Sequence, residues 1–146
     1  ILVDRHVNLP TIKLLNKFAV NMDMEVKYAD FNDLKSLEDH LKPKLKLAWF
    51  ETPSMPSMKI IDIKSIAEFI HEKSEAKVVV DNTTLSSYLQ RPLGLGADIV
   101  IYSITKYMHG HSDVVMGSLA INDDKIHDKL KYHQGATGII PSPFDW

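Results

Sequence analysis

Asp98-Ile99-Val100-Ile101-Tyr102-Ser103-Ile104-Thr105-Lys106-Tyr107 is the stretch on which the fold turns. Its apolar residues run without interruption over 99–102, which suits a strand buried on both faces, and such strands present their chemistry at the carboxyl end. Lys106 falls at that end. Continued alternation of an extended chain sets Ser103 and Thr105 on one face and Lys106 on the other. That arrangement offers two hydroxyls for an anion beside a free amine.

Working upstream, a strand over 77–80 ends in Asp81, so a carboxylate also stands at a strand's carboxyl end. Before it, Asp62 can cap a helix whose Ile63, Ile66, Ala67 and Ile70 share one face. Residues 51–59 carry Pro53 and Pro56 and read as a loop, entered from a strand over 45–50. Asn32 is the expected cap of a helix with Leu34, Leu37 and Leu41 on one side, ended by Pro43. Residues 1–3 and 25–28 read as strands. Between them Pro10 and Thr11 start a helix with Ile12, Leu15, Ala19 and Met22 along a face.

Strands alternating with helices predict an α/β fold with a mostly parallel sheet and helices on both faces. Residues 107–113 are too short for a crossover helix, so a strand over 114–121 is expected to return antiparallel. An amphipathic helix over 123–133 and a loop over 134–138 follow. The run Arg91-Pro-Leu-Gly-Leu-Gly-Ala97 leads into a strand rather than out of one, the wrong order for a dinucleotide-binding loop, and reads as a turn.

Composition narrows the function. Lys and Arg total 17 against 19 Asp and Glu, which argues against a nucleic-acid or acidic-membrane partner. The absence of cysteine excludes thiol nucleophiles, disulfides and thiolate metal sites. No apolar run approaches the roughly 20 residues of a membrane-spanning helix, and a cytoplasmic protein is expected. Because the chain begins at Ile1 rather than Met and stops just beyond Pro141-Ser142-Pro143, a fragment is expected.

Asp81 and Lys106, at the ends of two neighbouring strands, are the pieces a pyridine cofactor needs. The lysine forms a Schiff base, and the carboxylate keeps the ring nitrogen protonated so that the ring withdraws electrons. Ser103 and Thr105 are then hydroxyl donors to a phosphate. His109-Gly-His111-Ser-Asp113 is the rival, a metal-binding pattern, but Val114 stands where a further ligand is needed, so no metal is expected. Met55, Met58, Met108 and Met116 read as core filling.

Further residues carry a resemblance. Asp81-Asn-Thr, Gln90-Arg-Pro-Leu, Gly96-Ala-Asp98, Ser103-x-Thr-Lys106-Tyr and Gly110-His-Ser-Asp-Val-Val-Met-Gly117 closely resemble the pyridoxal-phosphate enzymes of cysteine and methionine metabolism. Glu51-Thr-Pro53, Lys59-Ile-Ile-Asp-Ile63 and Pro141-Ser-Pro-Phe144 extend the match over nearly the whole chain. The resemblance implies that residues 1–146 are part of the large, cofactor-binding domain of an aspartate-aminotransferase-like (fold type I) enzyme. The N-terminal arm, the phosphate-binding glycine loop and the C-terminal domain lie outside it.

By the same resemblance Lys106 is catalytic and binds pyridoxal 5'-phosphate, with Asp81, Ser103 and Thr105 as its other contacts. The implied activity is a lyase reaction on a small sulfur amino acid, the γ-elimination of cystathionine to cysteine, 2-oxobutanoate and ammonia, in a homotetramer. Cystathionine γ-synthase-like or methionine γ-lyase-like chemistry is the alternative within the family. A catalytically degenerate relative with a binding or structural role is the alternative outside it. Departures from the family's pattern are Asn8-Leu-Pro-Thr11 for Tyr-Gly-Gly-Thr, Ser54-Met-Pro56 for Thr-Asn-Pro, and Thr84 for an aromatic residue.

Overall fold

A computed structural model of the protein describes residues 1–145. Six strands form one sheet: β1 (Leu2–Asp4), β2 (Lys27–Ala29), β3 (Leu47–Glu51), β4 (Lys77–Asp81), β5 (Ile99–Ser103) and β6 (Gly117–Ile121). Their order is β2-β1-β3-β4-β5-β6, parallel except for the β5–β6 pair. The register aligns Leu2 with Ala48 and Ala48 with Val78, and one residue later Val3 with Trp49 and Trp49 with Val79. Alternation sends these two rows to opposite faces.

Each face receives helices, as the pattern predicts. On one side Leu2, Ala48, Phe50, Val78, Val80 and Val100 pack with Leu37 of α2 (Leu34–Glu38) and with Ile63, Ile66, Ala67 and Ile70 of α3 (Ile63–Lys73). On the other Val3, Trp49 and Tyr28 meet Leu15 of α1 (Leu9–Asn21). Asp62 caps α3 by accepting from the Ser65 N–H. The second face is thinner, and on α1 only Leu15 is buried while Met22 lies beyond the helix, 61% exposed. The expected apolar stripe on α1 is therefore correct in direction but shallow.

Several boundaries differ from the expectation. Asp33, not Asn32, caps α2 by accepting from the Lys35 and Ser36 N–H groups, and α2 stops at Glu38, short of Leu41 and Pro43. The final helix, α5 (Asp124–Thr137), runs through the residues expected to form a loop and ends only where Gly138 takes the left-handed conformation, φ 70°. None of its residues is buried. Residues 114–116 precede β6 instead of belonging to it.

One short element was not expected, α4 (Ser86–Leu89), while the turn expected over 91–97 takes the form of a 3-10 turn over Pro92–Leu95. The turn ends on Gly96 at φ 100°, where a Cβ would lie 3.1 Å from Ala67 Cβ. Only glycine combines that backbone with such close approach to α3. At the amino ends of β4 and β5, Asp98 accepts from the Val78 N–H (2.8 Å), His71 Nε2 (2.8 Å) and Lys77 Nζ (3.0 Å). Burial alone would raise the Asp98 carboxyl pKa; these donors outweigh it and hold the pKa below its ordinary value. Among the described residues, no helix is long and apolar enough to cross a membrane.

Candidate cofactor site

The parallel strands β3, β4 and β5 end side by side on Glu51, Asp81 and Ser103, and the register pairs Glu51 with Asp81. Asp81 is 8% exposed, and its Oδ1 accepts from the Thr83 N–H at 3.0 Å. No other hydrogen bond to this carboxylate occurs among the described residues, so its second oxygen is available. Thr83 Oγ1 in turn accepts from the Ser103 N–H at 2.8 Å, which ties the end of β5 to the turn after β4.

Behind Asp81 lies a closed amide network. Asn82, wholly buried, donates through Nδ2 to the carbonyls of Ser86 (2.9 Å) and Gln90 (2.8 Å) and to the Tyr102 hydroxyl (3.2 Å). Its Oδ1 accepts from Gln90 Nε2 at 2.8 Å, and the same nitrogen donates to the Thr52 carbonyl at 3.0 Å. The loops after β3 and β4 and the strand β5 are thereby locked together. Sequence reading treated Gln90 only as part of a resemblance; a glutamine directly before an Arg-Pro turn was its only local signal.

Beyond Ser103 the chain leaves the extended conformation and turns through residues 104–109. The alternation that would place Ser103 and Thr105 on one face and Lys106 on the other therefore stops at Ser103. The Lys106 N–H donates to the Ser103 carbonyl (3.1 Å), and the Lys106 carbonyl accepts from the Gly110 N–H (2.8 Å). Thr105 Oγ1 donates to the Met116 carbonyl (3.2 Å) and accepts from the Met116 N–H (2.9 Å), fastening this turn to the chain leading into β6. Lys106 is exposed, and its amine has no hydrogen bond or ion pair among the described residues. The Ser103 hydroxyl is likewise uncommitted.

Away from this site, a cavity of about 670 Å³ is lined by Leu2, Lys27, Lys42, Leu45 and Lys46 among others. It lies at the amino ends of β1, β2 and β3, the wrong end for a ligand of a parallel sheet. His109 Nε2 donates to Asp113 Oδ1 (2.6 Å), and His111 Nδ1 donates to the His109 carbonyl (2.7 Å). No cluster of three His, Asp or Glu side chains suited to a metal occurs among the described residues.

An amine, a nearly buried carboxylate with a free oxygen, and a free hydroxyl thus stand at the ends of adjacent strands. That donor set fits a phosphorylated pyridine aldehyde. A family model described as "Cys/Met metabolism PLP-dependent enzyme" matches residues 1–146. The chain belongs to that family. It is 46% identical over 135 residues to the cystathionine gamma-lyase of Dictyostelium discoideum and 44% identical over 135 residues to that of Homo sapiens. These matches cover 92% of this chain but only 35% and 33% of the two relatives, so the chain spans about a third of their length.

Solved structures agree with the family's fold. Cystathionine gamma synthase from Xanthomonas oryzae pv. oryzae, in complex with aminoacrylate and cysteine, superposes with a TM-score of 0.94 at 39% identity. The match covers 99% of this chain and 37% of that one. A methionine gamma lyase from Micromonospora echinospora gives 0.92 at 36% identity, covering 99% and 39%.

Proposed function

We propose that the full-length protein is a pyridoxal-phosphate-dependent lyase of sulfur amino acids that converts cystathionine and water into cysteine, 2-oxobutanoate and ammonia. The observation that carries this reading is the uncommitted Lys106 amine in the turn after β5, the strand that adjoins β4 and its terminal Asp81. When bound, the cofactor supplies an electron sink for the substrate's α carbon. Lys106 Nζ would hold the cofactor through its aldehyde and, as a free amine, would take and return protons at the substrate's α and β carbons.

Asp81 would pair with the ring nitrogen through the oxygen that Thr83 leaves free. Because that carboxylate is nearly excluded from water, its hold on a protonated nitrogen is stronger than it would be in solution. Ser103 donates its hydroxyl to the phosphate. Thr105, whose single hydroxyl proton goes to the Met116 carbonyl, would serve as a second phosphate contact only by giving up that bond. In this reading residues 1–146 form part of the cofactor-binding large domain of a cytoplasmic homotetramer that uses neither nucleic acid nor membrane.

A second reading, γ-replacement or methionine γ-elimination at the same site, is supported by the high similarity to a cystathionine gamma synthase and a methionine gamma lyase. Borohydride reduction of the full-length protein loaded with pyridoxal phosphate, followed by peptide mapping, tests the site; the reduced adduct is expected on Lys106. An adduct on another lysine, or none, would refute it. Product analysis with cystathionine, methionine and an activated homoserine ester then separates the reactions by which substrate yields 2-oxobutanoate and which yields a new thioether.

A further inference from the structure

Glu51 is a buried acid that the mechanism above does not use. It ends β3, is 3% exposed, and is the register partner of Asp81. Neighbouring strands lie about 4.8 Å apart, so the two carboxyl groups stand close together at one edge of the site. Burial pushes the Glu51 carboxyl pKa up, the charge of Asp81 adds to that, and the Asn8 N–H opposes it.

Asn8 supplies the contacts. Its backbone N–H and its Nδ2 both donate to Glu51 Oε2, at 3.0 and 3.3 Å. Its Oδ1 accepts from the Thr11 N–H at 3.1 Å, capping α1. The planar amide of Asn8 is thus held at both ends, by Glu51 on one side and by the helix it caps on the other. A helix cap needs only the oxygen. The Nδ2 bond to a buried acid next to Asp81 is surplus to capping.

We propose that Glu51 is a positioning residue of the cofactor site, acting through Asn8, whose amide it holds as a fixed wall beside Asp81. The proposal rests on the reading of Lys106 and Asp81 as pyridoxal-phosphate ligands. Asn8→Ser separates the two roles of Asn8, because serine caps a helix as well as asparagine while its hydroxyl stops a bond short of the position from which Nδ2 reaches Glu51.

The test uses the full-length protein, with thermal melting to monitor folding, titration of the apoprotein with pyridoxal phosphate, and circular dichroism of the visible cofactor band. Asn8→Ser is expected to fold with a melting temperature lowered by only a few degrees, yet bind the cofactor about fivefold more weakly, with a smaller dichroic band. Glu51→Gln keeps an acceptor and is expected to stay within about twofold of wild type. Glu51→Leu is expected to match Asn8→Ser, and the double variant to be no worse than the poorer single one.

Wild-type affinity in Asn8→Ser overturns the proposal, as do losses that multiply in the double variant. If Glu51→Leu does not fold, the Asn8→Ser and Glu51→Gln pair decides alone, and a Glu51→Gln loss as large as that of Asn8→Ser overturns it. A wild-type protein that takes up no pyridoxal phosphate overturns the functional reading and this proposal together. One that binds at Lys106 while Asn8→Ser is unaffected overturns only the second.

Discussion

Replacing Asp98 should loosen the amino ends of β4 and β5 by an amount that depends on what takes its place. In Asp98→Ala the Val78 N–H loses its acceptor in a position with no access to water, which costs about 1–3 kcal/mol. The partners His71 and Lys77 are 40% and 43% exposed, so each pair adds no more than about 1 kcal/mol. The sum is about 3 kcal/mol at neutral pH. Asp98→Asn keeps an acceptor for Val78 and loses only the charge, about 1 kcal/mol.

Hydrogen–deuterium exchange of the β4 peptide in the full-length protein reads this directly, with acceleration on the order of a hundredfold for Asp98→Ala and about fivefold for Asp98→Asn. The sign of the pH dependence follows from the lowered pKa of Asp98. A carboxylate with a depressed folded-state pKa contributes stability that is present above its unfolded value, about 3.9, and lost as pH falls through the folded one. The wild-type advantage over Asp98→Asn in urea midpoint should therefore shrink in acid below about pH 4. Equal exchange in the two variants, or an advantage that persists undiminished at low pH, would refute the assignment of Asp98 as a charged clamp.

Two further outcomes follow from the packing. Gly96→Ala forces a side chain into a left-handed backbone against Ala67 and should destabilise by at least about 1 kcal/mol, seen as a lower melting temperature of the full-length protein. Asn82→Leu removes the donor to the half-buried Gln90 carbonyl and one of the two acceptors of the Gln90 amide, costing about 1–3 kcal/mol. Limited proteolysis should then cut preferentially within residues 83–91, and an unchanged digestion pattern would count against the network.

Legibility in the sequence tracked how local the determining physics is. α3 could be read in full because its cap and buried stripe all lie within residues 62–70. The cap of α2 was misread by one residue because two adjacent Asx side chains satisfy the same rule, and only the backbone turn at Asp33 distinguishes them. α5 was cut short because Gly135 in its last turn looked like a breaker, whereas the chain takes the left-handed turn at Gly138.

At the site, strand-end logic was enough to single out Asp81 and Lys106, and the ends of β4 and β5 do adjoin. The face assigned to Ser103 relative to Lys106 was not legible, since nothing local marks where extension gives way to a turn. The Asn8–Glu51 pair was invisible for a different reason. Its partners are 43 residues apart, and no local pattern links a polar residue before a helix start to the end of a distant strand.

The antiparallel pairing of Ser103 with Gly117 and the double bond from Thr105 to Met116 make the segment between them a clasped loop. Lys106 sits just inside the clasp, while Gly110 and Ser112, both with positive φ, form the free bow. Lengthening such a bow costs little closure entropy and does not shift the strands that aim the lysine. Descendants of this sequence can thus explore new lengths and side chains at residues 111–113, beyond the Gly110 bond to the Lys106 carbonyl, without disturbing the amine.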